Sequence, residues 1–168
     1  MPDNSDDLQP LYLAIGYVVT KWALIEAALD FAVSTIYTDC GGSALRNQMP
    51  KFLKEKATFI TKAVSEIPQL APFKERALDI TGRAINIKDY RENFAHCVLA
   101  HPTHVDGVYS FVRLNAKVHN HSEKVWQFDV RTFPKMSNAL ELLAVDAQAF
   151  ATALEEAFHQ LPVANDVP

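Results

Sequence analysis

The chain has 168 residues, nearly half of them apolar and about a fifth charged, which suits one folded domain with a core that needs no disulfides or structural metal. Two cysteines, Cys40 and Cys97, are too few for a disulfide framework and point to a reducing compartment. The net charge of −4 gives no support to nucleic-acid binding, yet Arg46, Lys51, Lys54, Lys56 and Lys62 outweigh Glu55 in one short stretch of an otherwise acidic chain, either a solvated helix face or a patch that attracts phosphate.

Residues 1–7 are acidic and lack the layout of a signal peptide. The uncharged run 8–20 is too short to span a bilayer before Lys21 interrupts it, so a cytoplasmic protein with no membrane partner is expected. A first helix is predicted over about 11–38. Leu11, Ile15, Val18, Trp22, Ile25, Leu29, Ala32 and Ile36 form one apolar stripe at three-four spacing, and Cys40-Gly41-Gly42 stops it. Tyr17, Leu24 and Phe31 are apolar off that stripe, which places the helix centrally in a bundle or in a subunit interface. A second helix is predicted after Pro50, burying Leu53, Ala57, Ile60 and Val64. Pro68 and Pro72 bound the next loop, and a third helix is expected over about 72–99, ended by His101-Pro102. Its stripe is Phe73, Ala77, Ile80, Ala84, Ile87, Arg91, Phe94 and Val98.

The period then changes to two. Residues 108–118 and 124–130 alternate, with Asn120-His121-Ser122-Glu123 as the turn of a hairpin. A last helix follows over about 134–160, burying Leu140, Leu143, Ala147, Phe150, Leu154 and Phe158, and the tail 162–168 is expected to fray. The expected fold is mainly α: an antiparallel four-helix bundle with an inserted β-hairpin at about 107–131.

Arg91 is the one charge on the third helix's apolar stripe. Such a guanidinium must snorkel, find a partner or serve a function; Glu26, at the edge of the first helix's stripe, is the candidate mate. His101, His104, His119 and His121 lack an acidic or cysteine ligand that would complete a metal-binding spacing, and read as solvent-facing loop histidines. Neither a metal nor a cofactor is expected. Trp22, Trp126 and the phenylalanines read as core, and Cys97 as a structural thiol.

The run Tyr90-Arg91-Glu92-Asn93-Phe94-Ala95-His96, an arginine with a polar neighbour and a histidine near the end of a bundle helix, resembles the motif of the HEPN superfamily (higher eukaryotes and prokaryotes nucleotide-binding domain). There the polar residue commonly follows the arginine directly; here Glu92 holds that place and Asn93 comes next. The resemblance covers the helical parts, about 8–99 and 134–160. It implies a small helical bundle, a homodimer in which two motif copies meet, and metal-independent RNA cleavage in toxin–antitoxin or phage-defence systems. A cognate antitoxin or nucleotidyltransferase would be the partner. By the same resemblance Arg91, Asn93 and His96 are the catalytic candidates, supported by Glu26 and Glu92, while the basic cluster adds Arg46, Lys51, Lys54 and Lys62 as RNA-binding candidates. On a regular helix Arg91 and His96 stand roughly 140° apart, so they converge only through a bend, the helix end, or the second subunit. The competing expectation is a non-catalytic helical interaction module: an antitoxin, immunity protein or regulatory subunit.

Overall fold

The structure is a computed structural model that describes residues 8–117 and 120–159; the expected frayed tail and His119 lie outside them. It is mainly helical. Its elements run α1 (Gln9–Thr38), α2 (Leu53–Glu66), α3 (Lys74–His96), β1 (Val98–Val105), β2 (Val108–Lys117), β3 (Asn120–Asp129) and α4 (Phe133–Phe158), with short 3-10 turns at Gly42–Ala44, Pro68–Phe73 and Val130–Thr132. The described residues divide into two compact units, one of 8–22, 87–117 and 120–142, the other of 23–86 and 143–159.

In the second unit the stripes meet as their spacing requires. Ile25, Leu29, Ala32 and Ile36 of α1, Ala57, Ile60 and Val64 of α2, Ala77, Ile80 and Ala84 of α3, and Leu143, Ala147, Phe150 and Leu154 of α4 are all buried. Gly41 ends α1 in the left-handed region at φ 80°. Gly42 follows because nothing larger fits: a Cβ there would lie 2.6 Å from the Ile36 carbonyl oxygen and 2.8 Å from the Phe59 ring. α2 begins at Leu53, so Pro50 precedes the helix instead of opening it. Arg83 bridges Asp79 and Asp146 at 2.7 Å each. Lys56 is buried and pairs with Asp30 at 2.5 Å. By contrast Leu24 is 52% and Phe31 66% exposed, so these two off-stripe residues of α1 face solvent.

The first unit carries the sheet, and here the sequence reading needs correction. α3 stops at His96, not near residue 99. Val98, expected on the helical stripe, opens a further strand and is 67% exposed. The expected hairpin is therefore two strands of a three-stranded antiparallel sheet in the order β1-β2-β3. Asp106 and Gly107, at φ 50° and 79°, join β1 to β2, the positive-φ pair of a type I′ hairpin turn. Pro102 sits inside β1, where the register shifts between Leu99 and His104; an edge strand tolerates a residue with no amide donor. β2 and β3 pair without interruption from Val108↔Asp129 to Lys117↔Asn120. Asn120, His121, Ser122 and Glu123 are thus strand residues, and the connection falls at 118–119, outside the described residues. His101 and His104 likewise lie on β1, and His121 on β3, instead of in loops.

Among the described residues α1 is the one helix long and apolar enough to cross a membrane, by length and composition. Its stripe is nonetheless packed within the protein: Leu11, Val18, Trp22, Ile25 and Leu29 are all buried.

Candidate functional site

The motif occupies the last two turns of α3, and the sequence after it explains why the helix ends there. Val98 onward alternates in strand fashion, and the last helical bond runs from the Cys97 amide to the Asn93 carbonyl at 2.9 Å. On the packed side of these turns Phe94 is buried in edge-to-face contact with Phe111, Trp126 and Phe128, with ring centroids 5.7, 5.1 and 5.0 Å away. Tyr90 meets Trp126 edge-on at 6.1 Å. These contacts fix the rotation of α3 against the sheet and hence the directions in which the motif's polar residues leave the helix.

Arg91 is half-buried and has no hydrogen bond or ion pair with any described residue. Glu26, its expected mate, is half-buried and also unpaired among the described residues. Glu92 pairs with Lys88 one turn back at 3.6 Å, which commits that carboxylate within its own helix. The Asn93 side-chain oxygen accepts the Cys97 thiol at 3.8 Å. His96 is exposed, in the last turn of the helix. No hydrogen bond joins Arg91, Asn93 and His96 to one another among the described residues. The end of α3 thus presents an uncommitted guanidinium, a fork of donors for phosphate oxygens, and an exposed imidazole.

Two cations near this helix end escaped the motif reading. Arg113 on β2 lies directly opposite Lys124 on β3. Alternation puts them on the face that carries Tyr109 and Phe111 on one strand and Trp126 and Phe128 on the other, the face against which Phe94 packs. The register Val98↔Val112 and Leu99↔Phe111, continued by one residue, brings Cys97 to Arg113. Burial raises the Cys97 thiol above its ordinary pKa while Arg113 and Lys124 both pull it down. Neither cation has a carboxylate partner among the described residues. At positions 113 and 124 a charge continues an aromatic alternation.

The basic cluster belongs to the other unit and is partly neutralised. Arg46 bonds Glu55 at 3.0 Å, Lys62 approaches Glu66 at 3.9 Å, and Lys56 is taken by Asp30. The side chains of Lys51 and Lys54 are exposed and without ion-pair partners among the described residues. No group of three or more His, Cys, Asp or Glu side chains with metal-site geometry occurs among the described residues. Comparison with protein-family models, with curated proteins and with solved structures finds no match to this chain.

Proposed function

We propose that this chain is a HEPN-like RNA-binding domain, an antiparallel four-helix bundle that works in the cytoplasm as a homodimer and cleaves RNA without a metal. The observation that carries the reading is Arg91: a half-buried guanidinium on an otherwise apolar stripe, unpaired among the described residues, five residues before an exposed histidine at the helix end. Keeping a cation there without a carboxylate costs desolvation energy, and an anionic ligand would offset it. The exposed Leu24 and Phe31 on α1 favour a second copy, and in the homodimer that the resemblance implies one subunit's Arg91 would work with the other's His96.

The chemistry follows from these side chains. His96 takes the proton of a ribose 2′-hydroxyl, whose oxygen attacks the adjacent phosphorus. The bond from phosphorus to the 5′-oxygen breaks, and the leaving oxygen is protonated by the second copy's His96 in its imidazolium form. Arg91 stabilises the charge that builds on the phosphoryl oxygens, and Asn93 orients the imidazole or the phosphate. The products are a 2′,3′-cyclic phosphate and a 5′-hydroxyl. A place in a toxin–antitoxin or phage-defence system, with a cognate antitoxin or nucleotidyltransferase as partner, completes the proposal.

Purified protein in EDTA should cleave single-stranded RNA to cyclic-phosphate ends, and 2′-deoxy substitution at the cleaved position should block it. His96→Ala should abolish cleavage with the fold intact, because the side chain is exposed. Intact RNA with folded, dimeric wild-type protein would refute the catalytic reading. One observation favours the second reading, a non-catalytic interaction module: Arg46, Lys56 and Lys62 are already engaged by carboxylates, which leaves less free charge for RNA.

A further inference from the structure

We propose that Arg113 and Lys124 form a phosphate-binding pair that extends the motif from the end of α3 onto the sheet, holding a second phosphate of the same single-stranded RNA. The inference rests on the RNA reading and adds what the motif does not contain: a role for the sheet.

Directly opposed residues of an antiparallel pair have Cβ atoms about 5 Å apart, and like charges there destabilise the sheet. Arg113 and Lys124 occupy such positions, and no described carboxylate lies between them. The neighbouring Glu123 is one residue off, on the opposite face of β3. A phosphate is the kind of group that relieves this repulsion, with a guanidinium fork on one side and a mobile ammonium on the other. Arg113 is half-buried and Lys124 exposed, so the pair is open to a ligand from outside.

Its position relative to the motif follows from the register. The row across the sheet runs from Cys97 through Arg113 to Lys124, and Cys97 is the residue after His96. The next row on the same face is Leu99, Phe111 and Trp126. Trp126 is half-buried and touches Tyr90, itself half-buried and adjacent to Arg91. A strand leaving the motif toward the sheet would therefore meet two cations.

The test uses the full chain and a fluorescein-labelled, fully 2′-O-methyl single-stranded RNA, which cannot be cleaved, with anisotropy read across a potassium chloride series. Arg113→Gln/Lys124→Gln should weaken binding about tenfold at low salt and reduce the salt slope by roughly 0.7, the contribution of one phosphate neutralised on a single strand. Without ligand, Lys124→Gln alone should raise the melting temperature, because the cross-strand repulsion is removed; a pair kept for structure would lower it. If wild type binds and the double variant binds equally with the same slope, the inference fails and the RNA reading stands. If the double variant loses binding while His96→Ala leaves cleavage of natural RNA unchanged, the sheet site stands and the proposed catalysis falls. If wild type binds no RNA at low salt, both fall.

Discussion

Cys40 and Cys97 are both free, but their surroundings differ. Cys40 is buried, and burial together with Asp39 pushes its thiol up to about 11. Thiolate is the reactive form, so at pH 8 an aromatic disulfide reagent should label Cys97 and leave Cys40 unmodified until the chain unfolds. Equal, fast labelling of both would contradict the packing around Gly41 and Gly42. A second residue-scale prediction concerns Glu141, which accepts the Tyr17 hydroxyl at 2.7 Å and pairs with Lys21 at 2.6 Å. Lys21 and Tyr17 hold its carboxyl below its ordinary value and Tyr17 is held above its own. A lowered carboxylate contributes stability that is present above its unfolded pKa and lost as pH falls through the folded one. The melting-temperature gap between wild type and Glu141→Gln should therefore be visible near pH 6 and close as the buffer is taken below pH 4. A gap that persists at pH 3 would mean that Gln acts through packing and not through charge.

Among the elements, the helices and two of the three strands were legible, and the first strand was not. Three-four spacing marked the buried faces of α1, α2 and α4 because an apolar stripe has no other reason to recur at that period. The first strand was missed for a physical reason: Val98 falls in register with the α3 stripe, and Pro102 inside the segment argues against a strand unless the strand is an edge. Asp106-Gly107 carried the better signal and was passed over. For the site, Arg91 stood out as a charge on an apolar stripe. Arg113 and Lys124 did not, since which face of a strand meets α3 becomes clear only once Phe94 is seen among Phe111, Trp126 and Phe128. Phe94 is thus the joint between helix and sheet. Phe94→Ala should cost about 3–5 kcal/mol in denaturant unfolding, with loss of near-ultraviolet signal from Trp126. Gly42→Ala, which forces a Cβ against the Ile36 carbonyl and the Phe59 ring, should cost about 1–3 kcal/mol. A neutral result there would show that the turn after α1 can relax.

For the whole molecule, the exposed Leu24 and Phe31 lead to a prediction about mass. Light scattering at micromolar concentration should give roughly twice the 18.8 kDa of the chain, and Phe31→Glu should shift the population to monomer by placing a charge on a buried contact. If the two motifs act together, that variant should lose cleavage although Arg91 and His96 are untouched; a monomer that still cleaves would place the complete site in one subunit. The sheet order β1-β2-β3 has a consequence of its own for behaviour in concentrated solution. The sheet ends in two borders of unlike character. On β1 the shifted register and the missing amide of Pro102 spoil the regular donor–acceptor row that an incoming strand must match. β3 pairs on its inner side without a break over ten residues, and among the described residues no strand pairs with its outer side. Growth of the sheet by addition of a foreign strand, whether in aggregation or in recognition of an extended peptide, is therefore directed to β3, and a proline introduced at an outward-facing amide of that strand should suppress it.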